Sequence, residues 1–174
     1  MFKRFLTFFK KLGHSKDSAV EKPAVYNKGN DVPTIPDSKK FHDSAVSLIG
    51  VSLSDNFNYG SAEAINRIAE ISTGKQLGGG NSTILLDWFL NHNIDRFKKL
   101  VKGEITSPGD IIISSTLPDF TNSNIGNVGI ISFNDVVIFH DPVTGKIGNG
   151  TFTVRSWIEH YTSLGLSVDI FRLL

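Results

Sequence analysis

Pro108-Gly109-Asp110-Ile111-Ile112-Ile113-Ser114 is followed, after a polar loop, by Gly126-Asn127-Val128-Gly129-Ile130-Ile131. Pro-Gly-Asp is a turn that launches a strand, and the short β-branched run behind it has the character of a buried strand. The second run reads as another strand. Asn134-Asp135 separates it from Val136-Val137-Ile138-Phe139-His140, a pattern that predicts a β-hairpin with a two-residue turn. That turn would pair Phe133 with Val136 and set Gly129 opposite His140. Opposed residues share a face, as do residues two apart on one strand. Asn127 and His140 are therefore expected as diagonal neighbours on one face.

Outward from this hairpin, the C-terminal half carries the sheet. Strands are expected over residues 110–115, 128–133, 136–140, 151–154 and 166–171, with a helix over 155–162. The N-terminal half of the domain is helical. Phe41, Ala45, Leu48 and Ile49 sit at helical spacing ahead of Gly50. A second helix is expected over 61–71, with Ala64, Ile65, Ile68 and Ile71 inward. Asn81-Ser82-Thr83 caps a third, with Ile84, Leu85, Trp88 and Phe89 as its apolar side. A short fourth is expected over 94–101. Helices first and an antiparallel sheet afterwards make an α+β domain.

Residues 38–174 are expected to form that domain. Ahead of it, residues 14–37 hold Pro23, Pro33 and Pro36 and few large apolar side chains, so they read as a flexible linker. Residues 1–13 read as a basic amphipathic helix. Phe2, Phe5, Leu6, Phe9 and Leu12 fall on one helical face, beside Lys3, Arg4, Lys10 and Lys11. Such a helix suits an anionic membrane surface or a partner protein, which makes Phe2, Lys3, Arg4, Phe5, Phe9, Lys10 and Lys11 candidate binding residues.

The chain has 174 residues, 40% of them hydrophobic, which suffices for one cored domain. Its net charge of +1 offers no field for nucleic acid. Zero cysteines exclude disulfides, thiolate metal sites and a cysteine nucleophile. No run approaches the ~18–20 apolar residues of a transmembrane helix, and the N-terminus lacks the continuous apolar region of a signal peptide. The expectation is a protein without a membrane span, free or peripheral. Gly78-Gly79-Gly80 lacks the Gly-Lys-Ser/Thr ending of a phosphate loop and reads as a flexible helix connection. His42, His92 and His160 stand on separate helices without a shared metal-binding spacing. No metal or cofactor is expected. Trp88 and Trp157 occupy apolar helical positions and read as core.

Upstream, Tyr59-Gly60-Ser61-Ala62-Glu63-Ala64-Ile65-Asn66 opens the second helix. A helix start with a small nucleophile, then "PGDIII" and "GxVGI" strands, resembles the NlpC/P60 and CHAP superfamily of papain-like cell-wall peptidases. The likeness spans residues 38–174. With the "STxxLDxxL" segment at 82–90 and the terminal Phe171-Arg172-Leu173-Leu174, it looks most like phage-type members. It implies a papain-like fold with a cysteine at the Ser61 position, a histidine at Asn127 and an orienting polar residue near His140.

Both reacting residues differ from that pattern. A helix terminus lowers a thiol pKa, but a serine hydroxyl lies far higher and needs a base, which asparagine cannot be. The leading expectation is a catalytically degenerate module in a virion or in the host cytoplasm, tethered through its first helix to a virion protein, another protein or an anionic membrane. A peptidoglycan stem peptide is the ligand its groove would retain. The alternative is an active peptidoglycan hydrolase in which His140 acts as a displaced base on Ser61 and Asn127 orients it. A third reading makes the first helix, as a peripheral membrane binder, the functional part. Glu63 reads as a first-turn carboxylate and Asp141 as a turn residue.

Overall fold

The computed structural model describes residues 38–53, 60–80, 82–115 and 126–174, all within one compact unit spanning residues 33–174. The expected N-terminal helix and linker lie outside the described residues. Four helices, α1 (Ser38–Ser47), α2 (Gly60–Thr73), α3 (Thr83–His92) and α4 (Val154–Ser163), accompany six strands. These are β1 (Phe97–Lys99), β2 (Ile111–Ser114), β3 (Asn127–Ile131), β4 (Val137–Asp141), β5 (Lys146–Gly148) and β6 (Asp169–Leu173). They form one sheet in the order β1-β6-β2-β3-β4-β5, every pair antiparallel. The α+β class is as expected.

Strand β2 is central, and its unbroken isoleucine run follows from burial on both faces. Ile111 and Ile113 pack with Phe41, Ile65, Ile68, Leu86 and Phe171 on one side. Ile112 joins Ile131, Val137, Phe139, Trp157 and Tyr161 on the other. The sheet is thus a middle layer, with α1, α2 and α3 contributing to one core and α4 to the second. Gly109 makes the entry to β2 possible. Its φ is +95°, and a Cβ there would stand 2.4 Å from the Ser38 carbonyl oxygen. The adjoining Asp110 is buried and takes Arg172 in a two-pronged bond, Nε to Oδ1 at 2.9 Å and Nη2 to Oδ2 at 2.7 Å, which fastens β6 to the start of β2.

Helix α4 begins at a capping box in which Thr153 Oγ1 accepts from Ser156 N and Ser156 Oγ accepts from Thr153 N. Trp157 then donates from Nε1 to Ser114 Oγ at 2.9 Å, pinning the helix to β2. Phe139 and Phe152 meet the Trp157 ring edge-to-face at 5.7 and 5.4 Å.

Five expectations change. The helix over 94–101 is strand β1, recruited by the β6 edge through Phe97 opposite Leu173. Residues 151–154 form no strand beyond a single Val136–Thr153 bridge, and β5 takes the edge instead. Helix α3 buries Leu86 and Leu90, so Ile84, Leu85 and Trp88 face outward, Trp88 at 59% exposure and stacked on His92. Ile71 is likewise exposed at the end of α2. The glycine triplet is not a loose connection. Asn66 holds it from α2, donating to Gly80 O at 2.7 Å, and a Cβ on Gly79 would lie 2.7 Å from Phe89 Cβ.

Candidate functional site

The hairpin that carries the candidate residues turns through three residues rather than two. Ser132 N donates to Val136 O at 2.7 Å, and Phe133-Asn134-Asp135 form a 3-10 turn between them. Asn134 and Asp135 both adopt left-handed backbone, at φ 57° and 58°, which Asn and Asp tolerate better than most residues. The extra residue moves the whole pairing by one. Gly129 lies opposite Phe139, Ile130 opposite Ile138 and Ile131 opposite Val137. A slip of one residue transfers a side chain to the other face of its sheet. The expected shared face for Asn127 and His140 is therefore lost.

His140 keeps company with Ile138 on its own strand and with Ile147 opposite on β5, both part of the core under α1 and α2. Asn127 alternates with Val128 and so projects toward α4. There it engages the Tyr161 hydroxyl, and its own Oδ1 accepts from Val128 N at 2.8 Å. Burial pushes the Tyr161 phenol pKa up, opposed by that hydrogen bond. Asn127 is 6% exposed and serves here as a polar tie between β3 and α4.

Ser61 occupies the first turn of α2, half-buried, with the buried Glu63 two residues on and Arg67 Nη2 at 3.7 Å from that carboxylate. Glu63 sits where the helix dipole favours an anion. His140 lies on the sheet face that packs against α1 and α2, and the Glu63 charge acts on it from α2. His140 is 2% exposed, and Nε2 is buried with no hydrogen-bond partner among the described residues. Burial pushes its pKa below the ordinary imidazole value, while a hydrogen bond to the Gly145 backbone and the charges of Asp141 and Glu63 pull the other way. At neutral pH the ring is neutral, with one nitrogen engaged and one unmatched. The fold brings His140 to the Ser61 helix and sends Asn127 away from both.

A second histidine neighbourhood lies on α1. His42 is 3% exposed, with Nε2 2.9 Å from Ser132 Oγ and Nδ1 3.2 Å from Asp43 Oδ1. Asp43 also takes Lys39 Nζ at 2.6 Å through Oδ2. The bonds from Lys39 and His42 hold the Asp43 carboxyl pKa below its ordinary value. The sequence does carry a signal for this group. His42 follows Phe41 on the face that buries Ala45, and a polar residue in that stripe must find partners. Its partner Ser132 is 90 positions away, a distance that periodicity cannot bridge.

The candidate binding residues Phe2, Lys3, Arg4, Phe5, Phe9, Lys10 and Lys11 lie outside the described residues. Among the described residues, no three His, Asp or Glu side chains converge as metal ligands, and no helix is long and apolar enough to cross a membrane. The chain matches no family model and no curated protein.

Proposed function

We propose that residues 38–174 are a papain-like frame of the NlpC/P60 kind that has lost peptidase chemistry at its inherited position. In this reading it works as a structural or binding module of a phage particle, tethered by residues 1–13. The observation that carries the reading is the separation of Asn127 and His140 onto opposite faces of the sheet. Asn127, at the family's base position, cannot accept a proton and is committed to Tyr161. A groove that no longer turns over substrate can still hold a stem peptide.

The test is turnover of purified peptidoglycan by the full chain, read as released amino termini and reducing ends. No release above that of Ser61→Ala is expected, together with retention of the chain on a virion component. That retention should fall when residues 1–13 are removed. Co-sedimentation with anionic vesicles, weakened by salt, would assign the tether to a membrane instead.

The unmatched Nε2 of His140 on the α2 side favours one competing reading, a hydrolase with Ser61 as nucleophile and His140 as base. Peptidoglycan turnover lost in both Ser61→Ala and His140→Ala, with folding intact, would choose it.

A further inference from the structure

We propose that Ser132, His42 and Asp43 form a serine acyl-transfer site, separate from the inherited position, that takes esters of short uncharged acyl groups. The two contacts of His42 already have the order such a site needs. Asp43 is an ionised carboxylate, so the nitrogen facing it, Nδ1, must be the one that carries the proton. That leaves Nε2 with its lone pair, and the Ser132 hydroxyl donates to it across 2.9 Å. Nucleophile, base and orienting carboxylate are therefore arranged by role, which is how such a constellation is recognised irrespective of chain order.

The surroundings supply the rest of a site. His42, Asp43 and Ser132 line a groove of about 420 Å3 between α1 and the β3–β4 turn, within the range of small-molecule sites. Ile138 forms its floor, and Val46, Ile49 and Phe133 are walls with partly exposed side chains. Those walls are apolar and uncharged, which selects a short aliphatic acyl group over a charged one. Asn149 lines the same groove and brings a side-chain amide, a donor type that a developing oxyanion uses. Phe133 meets the His42 ring edge-to-face at 4.9 Å and restrains its rotation. Ser132 closes β3 just before the 3-10 turn, so the hairpin that misaligns Asn127 with His140 is the same one that delivers this hydroxyl to His42.

The reaction follows from these atoms. Ser132 Oγ bonds to the acyl carbon as its proton passes to His42 Nε2. The tetrahedral adduct collapses, the carbon–oxygen bond to the alcohol breaks, and Nε2–H returns the proton to the departing alkoxide. Water then repeats the sequence on the acyl-serine, releasing a carboxylic acid and restoring the hydroxyl. Asp43 takes no part in the bonds made and broken. It is a positioning residue that fixes the tautomer of His42.

The test uses the full-length chain with 4-nitrophenyl butyrate, and with diisopropyl fluorophosphate mapped by mass spectrometry. Saturable hydrolysis is expected, with the diisopropylphosphorylated residue identified as Ser132 and not Ser61. Ser132→Ala should fall to the buffer rate. His42→Gln should lose at least about 100-fold in kcat/KM, the scale of general-base catalysis. Because His42 is buried, each variant is first matched to the parent by circular dichroism, and Ser132→Ala carries the test where His42→Gln misfolds. Asp43→Asn should lower kcat with KM unchanged, and Asp43→Glu should recover part of the loss because an orienting carboxylate is retained. A purely structural role for Asp43 would lower stability and leave kcat at the parental value. A label on another serine, no label, or parental turnover in Ser132→Ala would overturn the proposal.

Discussion

His42 and His140 are almost equally buried, at 3% and 2% exposure, yet they are held in opposite chemical conditions. His42 has a partner on each nitrogen, one from the end of β3 and one from its own helix. His140 has one backbone bond and an Nε2 with no hydrogen-bond partner among the described residues. Desolvating an imidazole is costly in either place, but the first network recovers that cost and fixes a tautomer, whereas the second leaves it standing. Burial alone therefore says little about a histidine. Its partners determine whether it is poised for chemistry or carried as a strain on stability.

The largest effect that would break this contrast is expected at His42. His42→Ala removes two hydrogen bonds and the packing against Phe133, and should destabilise the domain by about 2–4 kcal/mol. Urea unfolding at pH 7.5 measures it. A loss below about 1 kcal/mol would mean that the Ser132–His42–Asp43 network contributes little, and that the two histidines differ less than their contacts imply.

At His140 the expectation is nearly the reverse. His140→Leu replaces a ring with an unmatched nitrogen by an apolar group among Ile138, Ile147 and Val128, so stability at pH 7.5 should change by no more than about 1 kcal/mol. The pH dependence separates the two sites further. The folded-state pKa of His140 lies below the ordinary value of 6.5. Below that value the unfolded chain binds the proton more readily than the folded one, so stability must fall as pH drops from 6.5 toward the folded pKa. Above 6.5 this contribution is complete. His140→Leu should flatten that acid slope, read from thermal melts in steps between pH 7.5 and 5. An unchanged slope would assign it to other groups.

The hairpin also shows what was legible in the sequence and what was not. The strands at 111–114, 127–131 and 137–141 were announced by β-branched runs, and the hairpin by Asn134-Asp135. The turn length was not. Asn-Asp fits a two-residue loop as well as it fits the left-handed pair inside a three-residue one, and only the position of Phe133 decides. Phe133 is apolar, which favours placing it in a strand, yet it sits in the turn, 66% exposed, with its ring edge-to-face on His42. The placement of this one residue sets a register that local pattern left open, and with it the face on which each candidate residue lies. Helix α3 failed for a related reason. Every position from Ile84 to Leu86 is apolar, so periodicity could not choose a face; Leu86 and Leu90 are the buried pair, on a helix that Gly78 and Gly79 allow to approach closely at Leu86 and Phe89. Strand β1 was invisible because its pairing partner, β6, lies at the far end of the chain.

The smallest expected effect tests whether Phe133 belongs to one histidine alone. Phe133→Ala removes an edge-to-face contact at a largely exposed position, so the loss should be about 0.5–1 kcal/mol. Its size matters less than its coupling. In a His42→Ala background the ring has lost its counterpart, and the cost of Phe133→Ala should shrink toward zero. In a His140→Leu background it should persist in full, because the edge-to-face contact of the Phe133 ring is with His42 and not with His140. Equal costs in all three backgrounds, measured by urea unfolding, would show that the exposed ring stabilises the turn itself. The register would then rest on the left-handed conformations of Asn134 and Asp135, without help from His42.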